Sequence, residues 1–359
     1  MNPTPEKEQR IRVGITHGDI NGIGYEIIIK TLQDPRMMET YTMIVYGSSK
    51  VASYHRKTLN IPDFNFNLVK KADLAHPRRP NIVNIVEDEI KIDIGKSTPI
   101  GGELSLLSLE MAVTDLISHN LDVLVTAPIN KQNIQSSNFS FPGHTEYLAQ
   151  KAGVSDYLML MVSDTVRIGV ITGHIPINKV VSSLTEDLIS RKINIMNNSL
   201  IRDFGIQKPR IAVLSVNPHA GDDGLIGNED NTILKPAIEK AYMQQNLVFG
   251  PYPADGFFGS GTFNRFDGIL AVYHDQGMIP FKLLSFDEGV NFTAGLPFIR
   301  TSPAHGTAYE IAGKNEASPE GFRNAVYLAA TIFNNRIAYD ELQANALHTK
   351  PIEPESPQP

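Results

Sequence analysis

Short runs rich in Val, Ile and Leu, apolar on both faces, recur along the chain at Arg12–Ile15, Thr42–Tyr46, Leu121–Val125, Leu158–Val162, Arg167–Ile171, Ile211–Val216 and Gly268–Val272. A strand with one face in water alternates apolar and polar residues, whereas a strand covered on both faces reads as a continuous apolar run. These runs therefore predict buried strands of a largely parallel sheet. Segments of helical period lie between them. Leu104 to Ser118 sets Leu106, Leu109, Val113 and Leu116 on one stripe, and Thr185 to Phe204, Thr232 to Asn246 and Pro319 to Ile332 read the same way. Strand and helix in alternation predict the α/β class. No internal repeat is visible.

In an open parallel sheet, ligands bind beyond the carboxyl ends of the strands. The loops expected there read THGDINGIG, TAPINK, TGHIPIN, NPHAGDDGLIG and YHDQGMIPFK. Four of the ten histidines, His17, His174, His219 and His274, fall within a few residues of a strand end, which predicts that they lie along one rim.

Composition narrows the chemistry. The 359 residues contain no cysteine, which excludes disulfides, thiolate nucleophiles, Cys-ligated zinc and iron–sulfur clusters, so a metal must sit on His, Asp, Glu or Asn. With 32 basic against 39 acidic side chains the net charge is −7, and no basic run appears; the footprint of a nucleic-acid binder is missing. The polar start MNPTPEKEQR and the lack of any apolar stretch near the roughly 18 residues of a membrane span predict a cytoplasmic protein with no membrane partner. The ending PIEPESPQP, proline-rich and acidic, predicts a disordered extension over 346–359.

Imidazole is the commonest ligand of a catalytic divalent metal, and three protein ligands leave positions open for substrate. His174, His219 and His274 form the best trio. A single loop histidine is more often merely hydrogen-bonded, but three at equivalent strand ends favour ligation. In FPGHTEYLAQ, His144 and Thr145 open an amphipathic helix whose free N–H groups suit a phosphate or carboxylate; the alternative is that Thr145 is only an N-cap. Between Gly277 and Gly313, Lys282, Asn291, Thr293, Arg300, Thr301, Ser302, His305 and Thr307 stand among apolar residues, and Arg300 offers a planar fork for an anion. GDINGIG sits between the first strand and the first helix, yet fits neither G-x-G-x-x-G nor G-x-x-x-x-G-K-[ST], so a tight turn competes with a phosphate cradle. No H-E-x-x-H or G-x-S-x-G motif occurs.

Together, GDINGIG, FPGHTEYLA, ITGHIPI, NPHAGDDGLIG, YHDQGMIPFK and GLPFIRTSPAHGTAYEIAG resemble the PdxA family, the 4-hydroxythreonine-4-phosphate dehydrogenases of pyridoxal 5′-phosphate synthesis, from about Ile11 to Ala338. The resemblance implies an isocitrate-dehydrogenase-like α/β fold of two α/β/α domains with a cleft between them, here 1–135 with about 300–345, and 136–299. It implies a homodimer with a shared active site, and NAD or NADP as cosubstrate without the usual dinucleotide fingerprint. His174, His219 and His274 become ligands of Zn, Mg or Co, with His274 supplied by the other subunit, and His144, Thr145, Lys282, Asn291 and Arg300 contact a phosphorylated substrate. No residue is singled out as general base or for cofactor binding. The first loop departs from the family pattern, with Ile20-Asn21 in place of Pro-Ala and Tyr25 in place of Pro. The implied reaction is oxidative decarboxylation of 4-phosphohydroxy-L-threonine to 3-amino-2-oxopropyl phosphate. Rivals are a dehydrogenase of a D-threonate- or erythronate-type phosphate, a metal-dependent phosphatase or hydrolase, and a noncatalytic phosphosugar-binding protein.

Overall fold

The computed structural model of the chain describes residues 10–137 and 139–344, so the tail expected over 346–359 lies outside them. Its strands are β1 (Arg12–Thr16), β2 (Thr42–Gly47), β3 (Asn67–Val69), β4 (Asn81–Asn84), β5 (Val123–Thr126), β6 (Leu158–Val162), β7 (Arg167–Val170), β8 (Arg210–Leu214), β9 (Leu247–Tyr252), β10 (Gly268–Ala271), β11 (Val290–Ala294) and β12 (Arg300–Pro303). The apolar runs predict seven of these within one or two residues, and their side chains are buried nearly throughout, as two-sided coverage requires. The other five are short, polar or broken. β12 reads RTSP, and β9 carries Gly250 and Pro251.

All twelve join one sheet in the order β3-β4-β2-β1-β5-β12-β11-β6-β7-β10-β8-β9. Pairing is parallel except at β12–β11, β11–β6 and β6–β7. Three antiparallel pairings in a row reverse direction, so the block containing β1 and β5 and the block containing β7, β8 and β10 run opposite ways. The α/β class is as expected, but the single rim of histidines is not. His17 follows β1, whereas His174 and His274 follow β7 and β10, which end at the opposite side of the sheet.

Helices cover both faces. Pro99–Ile117 starts where Thr98 accepts a hydrogen bond from the Gly101 amide and Pro99 supplies a preset φ at the first position. Glu186–Arg202 begins at the capping Thr185, close to the expected start. The helix expected from Thr232 instead begins as a π-turn, Asp230–Leu234, that runs into Lys235–Met243, and the one expected to end at Ile332 continues as Glu320–Ala344. Among the described residues, no helix is long and apolar enough to cross a membrane.

GDINGIG is an interior turn, not an open phosphate cradle. Ile20 and Ile23 are buried, and a Cβ on Gly24 would come within 2.2 Å of the His17 carbonyl oxygen. Gly18 adopts φ +70°, where a Cβ would stand 2.3 Å from the Pro128 oxygen. The residues that depart from the family pattern serve this packing. Asn21 donates to Thr98 Oγ1 at 2.8 Å and accepts from the Asp93 amide at 2.8 Å. Tyr25 lies between the rings of His17 and His55, each 5.2 Å away, and its hydroxyl accepts from the Ser48 amide at 2.9 Å.

Candidate active site

The antiparallel seam of the sheet carries a pocket of about 270 Å³. Register builds its floor. Asn291 on β11 pairs with Met161 on β6 and with Ser302 on β12, so the three side chains share one face, joined by Met159 and Arg300 two residues along their strands. The loop after β5 contributes Lys131, the helix His144–Lys151 contributes His144, Thr145 and Glu146, and the loops after β7 and β10 contribute His174 and His274. Lys282 projects from the helix His274–Ser285. Of the residues expected at the site, His144, Thr145, His174, His274, Lys282, Asn291 and Arg300 line this pocket and His219 does not.

Arg300 is 3% exposed and has no carboxylate within ion-pair distance among the described residues. Its Nε and Nη2 donate to Thr126 Oγ1 at 3.0 and 2.7 Å, and Nη2 also donates to His144 Nδ1 at 2.9 Å. Nη1 makes no hydrogen bond among the described residues. Burial lowers the guanidinium pKa to about 9, the Glu146 charge offsetting part of this, so the side chain stays cationic at neutral pH. A guanidinium can only donate, so His144 accepts at Nδ1 and carries its proton on Nε2, a buried atom with no partner among the described residues. Burial first, then the charges of Arg300 and Lys131, hold His144 well below the usual imidazole pKa and keep it neutral. The helix it opens is capped by Gly143 without a side-chain bond, so Thr145 is not the N-cap. The unpaired Asn291 Oδ1 adds a buried acceptor. The result is a set of donors around one buried cation, with Glu146 the sole carboxylate lining the pocket.

The rings of His174 and His274 lie 5.3 Å apart, tilted by 39°. Both belong to the same chain, because β7 and β10 are adjacent parallel strands and their following loops are neighbours. This differs from the expected division, in which His274 alone comes from the other subunit. His219 is exposed and stands apart, on a turn where residues 219 to 223 all take positive φ, from 44° to 81°. Among the described residues no three His, Asp or Glu side chains gather around one ion position. Within one chain, the imidazoles of His174 and His274 fit part of a divalent-metal site, and a third ligand must come from elsewhere.

Sequence reasoning overlooked Thr126, Lys131 and Glu146. TAPINK and FPGHTEYLAQ contain them, but a threonine ending a buried strand and a charge in a helix's first turn carry no signal of their own. Burial works against ionisation of Glu146, yet contact with His174, its own backbone amide and Lys131 outweigh it and lower its pKa.

The model of the family described as pyridoxal phosphate biosynthetic protein PdxA matches residues 39–329. A 4-hydroxythreonine-4-phosphate dehydrogenase of Bacteroides thetaiotaomicron is 50% identical over 342 residues, covering 95% of this chain and 94% of its own. One from a Sulfurihydrogenibium species is 39% identical over 89% of this chain and 97% of its own. The crystal structure of a 4-hydroxythreonine-4-phosphate dehydrogenase from Klebsiella pneumoniae superposes with a TM-score of 0.77 at 32% identity, over 90% of this chain and 99% of that one.

Proposed function

The chain belongs to the PdxA family, and from that premise we propose that it catalyses the NAD(P)-dependent oxidative decarboxylation of 4-phosphohydroxy-L-threonine to 3-amino-2-oxopropyl phosphate. The observation that carries the reading is the buried Arg300, without a carboxylate at ion-pair distance among the described residues, in the same pocket as His174 and His274. An uncompensated cation in the interior is costly, and an anionic ligand removes the cost. The substrate's phosphate takes that place, receiving N–H groups from Arg300 and from His144 Nε2, with Lys282 and Thr145 beside them. Asn291 Oδ1 accepts from a substrate donor. These contacts fix the distal end of the substrate, so binding energy remote from the reacting carbon orients it. In the reaction, hydride leaves the hydroxyl carbon for the nicotinamide, the hydroxyl proton goes to solvent, and the resulting β-keto acid loses CO₂, the carbon that carried the carboxylate taking up a proton from solvent.

A divalent ion (Zn, Mg or Co) on His174 and His274, with the partner subunit's His219, would acidify the substrate hydroxyl and stabilise the enolate left by decarboxylation. Two features support the homodimer this requires. The helix bearing His274 exposes Ile279, Leu283 and Leu284, followed by Phe286, at 59%, 82%, 41% and 70%. The His219 turn holds four non-glycine residues at positive φ and is followed by the exposed Leu225 and Ile226, the kind of strain that a docked partner offsets. A cytoplasmic enzyme without nucleic-acid or membrane partners suits the net charge of −7.

The test is NADH and NADPH formation from 4-phosphohydroxy-L-threonine, with D-threonate and erythronate phosphates as competitors, with and without divalent metal. Preferred turnover of the amino-acid phosphate with matching CO₂ release is expected. Phosphate release without nicotinamide reduction would replace the reading by a phosphatase, and preference for an acid phosphate by a sister dehydrogenase.

A further inference from the structure

The pocket contains four imidazoles, and charged neighbours sort three of them, His144, His174 and His274, into two kinds. Arg300 donates to Nδ1 of His144, which forces the proton of that ring onto Nε2. His174 and His274 present the same Nδ1 atom to a carboxylate instead. Nδ1 of His274 lies 2.7 Å from Asp275 Oδ1, and Nδ1 of His174 lies 3.8 Å from Glu146 Oε1. An ionised carboxylate only accepts, so the hydrogen bond to Asp275 puts the His274 proton on Nδ1 and the free lone pair on Nε2, and the Glu146 charge, beyond hydrogen-bond distance at 3.8 Å, favours the same tautomer of His174 electrostatically.

The two carboxylates come from separate elements. Glu146 is in the first turn of the helix His144–Lys151, and Asp275 is the second residue of the helix His274–Ser285. As ion pairs they contribute little to stability, since the Asp275 side chain is 73% exposed and the Glu146–His174 separation is long. Glu146 is also mostly buried, and His174 is its one ion-pair partner among the described residues. Contact with that ring leads the contributions that keep the carboxylate ionised against burial.

We propose that Glu146 and Asp275 are positioning residues that hold the proton of His174 and His274 on Nδ1 and so present Nε2 of both rings as the metal-binding atoms. This rests on reading the pocket as a metal site. On this assignment, identical side chains in one pocket divide their work by neighbour: a cation beside the ring makes His144 a hydrogen-bond donor to the substrate, and a carboxylate makes His174 and His274 ligands.

The experiment titrates Co²⁺ into the full-length protein by calorimetry and records the visible Co²⁺ absorption, for the wild type, Glu146→Gln, Glu146→Asp, Asp275→Asn and His174→Ala. Loss of an orienting carboxylate should weaken Co²⁺ binding by about 10- to 100-fold in Glu146→Gln and Asp275→Asn and shift the absorption band, with Glu146→Asp intermediate. KM for the phosphorylated substrate at saturating metal should stay within about twofold, because Arg300 and His144 are untouched. If His174→Ala loses Co²⁺ while the carboxylate variants bind it as tightly as wild type, the proposal is overturned and the metal site stands. If wild type and His174→Ala bind Co²⁺ equally or not at all, the metal reading fails and the proposal with it. A raised KM with unchanged Co²⁺ affinity would place Glu146 on the substrate and also overturn it. Should Glu146→Gln not fold, Asp275→Asn alone decides.

Discussion

Replacing Arg300 by Met separates a cation kept for a ligand from one kept for the fold. Burial lowers the pKa of Arg300 from 12.5 to about 9, which opposes the charged form by about 5 kcal/mol. Met fills much of the same volume without charge. Against that relief, Thr126 Oγ1 and His144 Nδ1 lose their donor, at about 1 to 3 kcal/mol each. The ligand-free variant should therefore fall between about 3 kcal/mol more stable and about 1 kcal/mol less stable than wild type, or roughly +6 to −2 °C in melting temperature for a chain this long.

Ligand binding should respond in the opposite sense. Losing one charge-assisted hydrogen bond to the phosphate, at about 1.5 to 3 kcal/mol, raises KM roughly 10- to 150-fold. At a phosphorylated-substrate concentration about 100 times the wild-type Kd, the wild type gains about 2.7 kcal/mol, whereas a variant bound 100-fold more weakly gains about 0.4 kcal/mol. Calorimetric melting with and without 4-phosphohydroxythreonine, alongside initial rates of NADH formation, measures both. A ligand-free melting point lowered by more than about 5 °C would make Arg300 a strut of the fold, and an undiminished ligand shift would remove it from the anion site.

The remaining predictions concern the metal, the subunits and acid. His174→Ala, His219→Ala and His274→Ala should each lose metal and nearly all turnover while keeping the wild-type far-UV spectrum, because all three side chains are partly or largely exposed and none belongs to the core; full turnover of His219→Ala in metal-free buffer would end the metal reading. Arg300→Lys should raise KM for the phosphorylated substrate about tenfold or more, since one ammonium cannot reproduce the fork, and an unchanged KM would return Arg300 to structure. Mixing His219→Ala with His274→Ala should restore about a quarter of wild-type activity after subunit exchange confirmed by mass spectrometry, whereas mixing His174→Ala with His274→Ala should restore none, because those two rings share a chain; activity restored in both mixtures would place His274 across the interface. Burial lowers both His17 and His55 from 6.5 to about 4, so the folded state binds fewer protons than the unfolded between those values. Stability is full above about pH 6.5 and falls as pH drops toward 4, by about 3 kcal/mol per ring, and His17→Phe should halve the slope seen in urea midpoints.

The core strands were legible because two-sided burial leaves a mark on every residue of a strand. Leu158–Val162 is apolar at each position, and its limits in the fold are those of the run. β11 and β12 were not legible, because they line the pocket: Asn291, Arg300 and Ser302 put polar groups where a strand would otherwise read as apolar. The same substitution that hid the strands exposed the site, since Arg300 between LPFI and TSP is anomalous in sequence for the reason that makes it useful. Glu146 stayed hidden because its role depends on a ring 28 positions away. The Tyr25 stack was hidden too, as only the fold brings His17 and His55 to opposite faces of one phenol.

Strand direction explains why the pocket lies on the seam. In a sheet parallel throughout, every loop that follows a strand leaves on one side, and a site there draws on neighbouring loops alone. Here the loop after β5 leaves at one side of the sheet and those after β7 and β10 at the other, and the three antiparallel pairings between the blocks span that distance. A pocket across the seam can therefore take Lys131 from one block and His174 and His274 from the other, with Asn291, Arg300 and Ser302 between them. The anion clamp and the imidazole pair are anchored in different blocks, joined through short strands.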